Sequence, residues 1–129
     1  NVTSNNDPII INNTANDYID LNSTSVTGLD LIGETNPEAQ AIVTDNFTVG
    51  DSTGGTPPLE CSFIDINVTR LVNNTAVPIN ESILPAGNRS VTNEGIENLY
   101  ICIPNVPTSL VTQLYSTANG TTGWTVSVV

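Results

Sequence analysis

The ionisable side chains of this sequence exclude most forms of catalysis. The chain has 13 carboxylates but no histidine and no lysine, and two arginines are its only cationic side chains. A Ser–His or Cys–His pair and a Schiff-base lysine therefore cannot form. Paired carboxylates can hydrolyse glycosides, but the pairs Glu94 with Glu97 and Asp17 with Asp20 have spacings that arise commonly by chance. We expect no enzymatic activity and no catalytic residues.

Metal and cofactor sites lack most of their usual ligands. A zinc site would need nitrogen ligands or more sulfur ligands than two cysteines supply. Calcium could be bound by carboxylates such as Asp45, Asp51 or Asp65, but the sequence has no EF-hand pattern. We expect no metal and no cofactor, and covalent glycans as the modification.

The residue pattern with the clearest chemistry is the N-glycosylation sequon, N-x-[ST] without proline at the middle position. Charged residues make up only 12% of the chain, so glycans would supply the solubility that charge does not. Such a coat predicts an extracellular protein and, because it still works when carboxylates become protonated below about pH 4, tolerance to acid. The nine sequon asparagines are Asn1, Asn12, Asn22, Asn46, Asn67, Asn73, Asn80, Asn88 and Asn119.

The net charge of −11 limits the partners of the chain. Nucleic acid and anionic lipid surfaces both require cationic side chains, and only Arg70 and Arg89 are available. We therefore expect neither nucleic-acid binding nor membrane insertion. No apolar run is long enough to span a membrane, and no signal peptide is present, which predicts a mature chain after cleavage.

The two cysteines, Cys61 and Cys102, predict a disulfide in an oxidising compartment. The bridge would close a loop of about 40 residues and stabilise the fold by roughly 3–4 kcal/mol in the chain-entropy model. Two buried free thiols are the alternative.

Alternating apolar and polar residues predict half-buried strands. In residues 18–22, Ile19 and Leu21 would face inwards. In residues 41–49 the apolar face would hold Val43, Phe47 and Val49, and in residues 63–70 it would hold Ile64, Ile66 and Val68. The sequon asparagines Asn22, Asn46 and Asn67 all fall on the polar faces, where a glycan must lie.

The rest of the chain completes an all-β pattern of about eight strands. The run NLYICIP, residues 98–104, predicts a strand buried on both faces. Residues 109–115 and 124–129 predict a hairpin around Asn119-Gly120, with Trp124 in the core or the hairpin. Residues 36–41 could form one helical turn. We expect an immunoglobulin-like β-sandwich over residues 17–129.

Residues 1–16 predict a separate N-terminal tail that carries a short strand. Pro8 is followed by Ile9, Ile10 and Ile11, and the polar segment NNTAND then separates this stretch from the next predicted strand. We expect that polar segment not to pack, so the isoleucine strand would be detachable. The alternative is that it forms the first strand of its own domain.

The segment DPIIINNT, the dense sequons, the single cysteine pair and the scarcity of cations together resemble the subunits of crenarchaeal "thread" surface filaments. The resemblance implies a glycosylated extracellular filament that serves adhesion, biofilm formation or cell–cell contact. It further implies a head-to-tail homopolymer in which the N-terminal donor strand, Pro8 to Ile11, inserts into the next subunit, as in chaperone–usher pili.

Other functions fit parts of the same pattern. The chain could be the exposed β lobe of an archaeal type IV-like pilin or archaellin, although these lobes follow a long apolar helix. It could be a monomeric glycosylated surface binding module, although aromatic residues are few, at 5%. A virion coat or appendage protein also remains open.

Overall fold

The computed structural model describes residues 2–3, 8–17, 19–21, 24–38, 40–51, 68–80, 82–88, 90–92, 94–117 and 123–128. These residues form eleven strands and one short 3₁₀ helix, Thr44–Asn46, so the predicted all-β fold is confirmed. The strands are β1 (Val2–Thr3), β2 (Ile9–Asn12), β3 (Thr24–Thr27), β4 (Leu31–Gly33), β5 (Ala41–Ile42), β6 (Thr48–Asp51), β7 (Val68–Arg70), β8 (Ala76–Pro78), β9 (Ile96–Ile103), β10 (Tyr115–Ser116) and β11 (Thr125–Val128).

The strands form three antiparallel sheets. In the first sheet β9 is central: β6 and then β7 lie on one side of it, and β1 and β2 share the other side. The second sheet has the order β11-β3-β8, and the third has the order β10-β4-β5. The immunoglobulin-like strand order stays a prediction.

One hydrophobic core joins these sheets. It takes Val49 and Leu99 from the first sheet and Val26 from the second, as expected for two sheets packed face to face. Trp124 packs edge-on against Phe47, with ring centroids 4.9 Å apart, which confirms it as a core residue. The buried residues of this core are Val26, Phe47, Val49, Leu71, Ile79 and Leu99.

Strand β9 confirms the strand predicted from NLYICIP. It is eight residues long, and Leu99, Tyr100 and Cys102 are all buried. Because successive side chains of a strand point to opposite faces, both faces of β9 are covered. A continuous apolar run identified this central strand correctly.

The single strand predicted over residues 41–49 is wrong. The chain breaks into β5, the 3₁₀ helix and β6, because the backbone N–H and hydroxyl of Thr44 both donate to Oδ1 of Asp30, at 2.7 and 2.8 Å. The helix changes the alternation of faces. Val43 is therefore exposed, and Thr44 and Thr48 are buried rather than solvent-facing.

The strand predicted over residues 18–22 is also wrong where the structure describes it. Residues 19–21 contribute one isolated bridge, Leu21 with Leu84, and Ile19 is exposed. A side-chain hydrogen bond replaces the ladder here, since the Ala86 N–H donates to the Asp20 carboxylate at 2.8 Å. Residues 63–67 lie outside the described part of the chain.

The predicted terminal hairpin does not form. Strand β10 pairs with β4 and strand β11 pairs with β3, so the two segments belong to different sheets. Residues 118–122, which include Asn119-Gly120, lie outside the described part. At residues 36–41 the described residues form one turn, in which the Gln40 N–H donates to the Pro37 carbonyl at 3.4 Å, and β5 then begins at Ala41.

Candidate functional site

The N-terminal segment covers one edge of β9. Strand β2 pairs antiparallel with β9 so that Ile9 lies opposite Leu99 and Asn12 lies opposite Ile96. Strand β1 continues along the same edge and pairs with the last two residues of β9. Two short N-terminal strands thus close this edge of the first sheet.

The three isoleucines of β2 are covered to different extents. Ile11 packs against the core, and the side chains opposite Ile9 and Ile11, those of Leu99 and Glu97, are buried. Ile10 points to the other face and is 63% exposed, while Ile9 is 42% exposed. Pro8 precedes the strand and is half-buried. β2 is therefore docked on its own domain but incompletely covered.

Glu97 is a buried carboxylate whose position the sequence analysis did not predict. Its carboxylate is buried and accepts hydrogen bonds from the hydroxyls of Thr24, at 2.6 Å, and Ser82. Glu94 is exposed, so the two carboxylates lie in different environments. The signal was present in the sequence, because Glu97 has the same parity in β9 as Leu99 and must share its inward face.

The segment after β2 is held by a set of hydrogen bonds that we call the clasp, formed by residues 13–17 with residues 85–87 and 95. The Asn13 N–H donates to the Gly95 carbonyl at 2.7 Å, and its side-chain amide donates to Asp17 at 3.0 Å and to the Pro85 carbonyl at 3.2 Å. The Gly87 N–H donates to the Asp17 carboxylate at 2.5 Å. The prediction that NNTAND does not pack is therefore wrong.

Two glycines allow the clasp to close. A Cβ atom at Gly87 would lie 2.5 Å from the carbonyl oxygen of Asn13, and one at Gly95 would lie 2.7 Å from the same atom. Gly95 also has φ +73°, a conformation that favours glycine. Sequence reasoning missed these contacts because they join positions more than 70 residues apart.

The clasp changes the electrostatics of Asp17. The hydrogen bond from the Asn13 side chain, followed by the bond from the Gly87 backbone, holds the pKa of the Asp17 carboxyl below its usual value. Both bonds favour the charged form because they donate to the carboxylate. The clasp is therefore tightest when Asp17 is ionised.

The sequons differ in how far the fold leaves them accessible. Asn12, Asn73, Asn80 and Asn88 are exposed, while Asn46 is half-buried in the 3₁₀ helix. Asn1, Asn22, Asn67 and Asn119 lie outside the described residues. Exposure of four sites leaves room for glycans, and occupancy stays a prediction.

Cys102, in the central strand, is disulfide-bonded. Cys61, the other cysteine of the sequence, lies outside the described residues. The bridge therefore attaches to the face of β9 that carries Tyr100, opposite to the face that carries Leu99.

The described residues offer little for metal or membrane chemistry. No group of three or more His, Cys, Asp or Glu side chains gathers among them to hold a metal ion. Asp45 lies against Arg70, Asp51 is buried in β6, and Asp65 lies outside the described part. None of the helices described is long and apolar enough to cross a membrane.

Comparison with known proteins finds no matching family model, curated relative or solved structure.

Proposed function

We propose that the chain is a structural subunit of an extracellular glycosylated filament. Subunits polymerise head to tail when the N-terminal strand, Pro8 to Ile11, leaves its own domain and pairs with the next subunit. Such a filament serves adhesion, biofilm formation or cell–cell contact. The proposal includes no catalytic step and no cofactor.

The observation that carries the proposal is the position of β2 at a sheet edge. Among the described strands β2 pairs with β9 alone, and Ile9 and Ile10 are left partly exposed. An edge strand of this kind can be exchanged for the same strand of a second copy at little cost, because the bonds broken and formed are the same. The acceptor would be the edge of β9, in the register of Ile9 with Leu99 and Ile10 with Asn98.

The energetics favour exchange over simple loss of the strand. In this register Ile11 is the isoleucine of β2 that packs against the core, and its burial is worth at most about 1.5–3 kcal/mol before ordering costs. An uncovered β9 would also present a row of unpaired N–H and C=O groups at an open edge. The edge therefore needs an occupant, and a second copy supplies the same one. When a subunit gives its strand to one neighbour and accepts a strand from a different neighbour, the contact is heterologous and produces a fibre, whereas reciprocal exchange between two copies would close a dimer.

The clasp would set the geometry of such a fibre. Asn13 is hydrogen-bonded to residues 85 and 95 of its own domain, and the strand that it follows ends at Asn12. Exchange with the clasp intact therefore turns the chain at Asn12 and Asn13. We expect a short, stiff connection between subunits rather than a flexible linker.

A direct test uses engineered cysteines at facing positions of β2 and β9. One copy carries Ile10→Cys and the other carries Asn98→Cys, and the two are mixed after purification. Exchange in the proposed register gives a disulfide between copies, visible as a heterodimer on a non-reducing gel. A copy with Val126→Cys, on a strand of the second sheet, replaces the Ile10→Cys copy as the matched control and should not form the bond.

Removal of residues 1–12 tests whether the N-terminal strand is needed for filament formation. The full chain should form thin filaments in negative stain, and the shortened chain should not. A peptide with the sequence NVTSNNDPIIIN, the segment removed, should stabilise the shortened chain. If both forms are stable monomers and no heterodimer appears, the strand belongs permanently to its own domain.

A monomeric glycosylated surface module is the second candidate. The pairing of β2 with β9 within one chain favours it, because the isolated chain has its edge already closed. A double variant with Ile10→Cys and Asn98→Cys in one chain distinguishes the two. It should crosslink only within the chain if the protein is a monomeric module.

A further inference from the structure

Thr48 carries a buried hydroxyl that the fold does not use. Its side chain is 0% exposed, and in the described part of the chain its Oγ1 is the buried side-chain oxygen with no hydrogen-bond partner. Its backbone lies between two strands, opposite Arg70 in β7 and Cys102 in β9. A buried hydroxyl without a partner destabilises a folded protein, and valine would fill the same position without that cost.

Other buried hydroxyls of the described chain do have partners. Thr24 is also 0% exposed, and it donates to Glu97 at 2.6 Å. Ser82 donates to the same carboxylate, and Thr44 donates to Asp30 at 2.8 Å. Thr48 is the exception, so its hydroxyl needs an explanation outside the folded state.

The sequence around Thr48 supplies one. Asn46-Phe47-Thr48 is a sequon, and the hydroxyl at its third position is what makes Asn46 an acceptor. We propose that the Thr48 hydroxyl is a modification signal, read by an N-glycosylating enzyme on the unfolded chain, and that Asn46 receives its glycan before β6 joins the sheet. This inference rests on the glycosylation included in the proposed function.

The glycan donor for Asn46 would be a lipid-linked sugar of the polyisoprenyl phosphate or diphosphate class. The side-chain nitrogen of Asn46 attacks the anomeric carbon of the donor sugar, and a C–N bond forms. The bond between that carbon and the phosphate oxygen breaks, and the lipid phosphate leaves with its electron pair. One amide proton of Asn46 passes to a base of the enzyme.

The order of events follows from the burial of the acceptor tripeptide. In the folded chain Phe47 is 3% exposed and Thr48 is 0% exposed, so an enzyme cannot reach the signal without opening the first sheet. The sequons at Asn73 and Asn88 differ, because their hydroxyl residues, Thr75 and Ser90, are exposed. Those two sites stay accessible after folding.

Substitutions at Thr48 separate the signal from the fold. Thr48→Val should abolish the glycan at Asn46 in glycopeptide mass spectra and leave those at Asn73 and Asn88, while Thr48→Ser should keep all three. In chains made without glycans, Thr48→Val should raise the melting temperature by about 5 °C. Thr24→Val is the matched control and should lower it, because Glu97 loses a donor.

Two results would overturn the proposal. A fall in melting temperature for Thr48→Val like that for Thr24→Val would show that the hydroxyl has a structural role. If Asn46 is unmodified in native protein whose Asn73 and Asn88 carry glycans, the Thr48 hydroxyl does not act as a modification signal. If no sequon at all is occupied in native protein, the glycosylated part of the proposed function fails as well, so the two failures are distinguishable.

The order is tested with an oligosaccharyltransferase and a lipid-linked sugar donor. A peptide of residues 41–51 should be modified at Asn46. The folded, unmodified full chain should be modified at Asn73 and Asn88, and about tenfold or more slowly at Asn46, because the sheet must open first. Equal rates at Asn46 and Asn73 in the folded chain would contradict the proposed order.

Discussion

Two apolar stretches of the first sheet, β2 and β9, lie side by side and differ in almost every physical respect. β9 has strands on both edges and covered faces, so that Leu99 is 0% exposed. Among the described strands β2 has a partner on one edge, and Ile10 is 63% exposed. The neighbours of a strand, and not its own hydrophobicity, decide how much stability each side chain contributes. The central strand contributes most to the core, and the weaker cover of the edge strand is what the proposed exchange between subunits relies on.

The largest expected effect tests whether the central strand β9 carries more of the stability than β2. Leu99→Ala should lower the free energy of unfolding by about 2–5 kcal/mol, because a fully buried leucine leaves a cavity. Ile10→Ala is the matched control on β2 and should change it by less than about 0.5 kcal/mol. Urea unfolding followed by circular dichroism measures both. Similar losses for the two variants would mean that β2 is as much a part of the core as β9.

The same contrast explains what the sequence could predict. The continuous run NLYICIP identified a central strand, and period-two alternation placed Phe47 and Val49 correctly in the core. Local pattern carries this information because burial on both faces leaves no polar positions. The choice between edge and centre depends on which strands pair, and that is not a local property.

Three of the failures share one cause, which is a polar side chain that bonds to a distant part of the chain. The Asp30 carboxylate accepts from the Thr44 N–H where the predicted strand breaks. The Asp20 carboxylate accepts from the Ala86 N–H where a strand was predicted at residues 19–21. Asn13 packed a linker that its composition predicted to be free. Each of these bonds joins residues that are 14 or more positions apart, so no short window of sequence could reveal them. The buried Glu97 belongs with them, since its donors come from two other segments.

A middle-sized effect is expected at the clasp, which attaches the edge strand to the domain. Gly87→Ala should lower the free energy of unfolding by about 1–3 kcal/mol, because its Cβ would press on the carbonyl oxygen of Asn13. It should also increase hydrogen exchange in β2 more than in β9. Gly123→Ala is the matched control, since nothing lies within 4 Å of a Cβ there.

The outcome at Gly87 also bears on assembly. If the clasp restrains exchange of β2, Gly87→Ala should speed formation of the disulfide between the Ile10→Cys and Asn98→Cys copies. If the variant is destabilised but exchanges at the wild-type rate, the clasp supports the fold and does not control the strand. Equal stability of the Gly87 and Gly123 variants would contradict the close packing itself.

The smallest expected effect is the pH dependence of the clasp. The folded-state pKa of Asp17 lies below its value in the unfolded chain, so ionised Asp17 stabilises the fold at pH values above about 4. That contribution is lost as the pH falls through the lowered pKa. Asp17→Asn keeps an oxygen that can accept from the Gly87 N–H but never carries the charge. The urea midpoints of wild type and Asp17→Asn should therefore differ by a constant amount near neutral pH and converge below about pH 4.

Asn13→Ala identifies the cause of that dependence, because the Asn13 side chain makes the largest contribution to the lowered pKa. Asn13→Ala alone should reduce the difference between the urea midpoints at neutral and at acidic pH. The double variant with Asp17→Asn should show little further reduction of that difference. Additive effects of the two substitutions would mean that Asp17 draws its charge stabilisation from elsewhere. Overlapping effects would place the acid-sensitive contact at the junction between β2 and the rest of the domain, so that acid would loosen the attachment of β2 while the core around β9 stays packed.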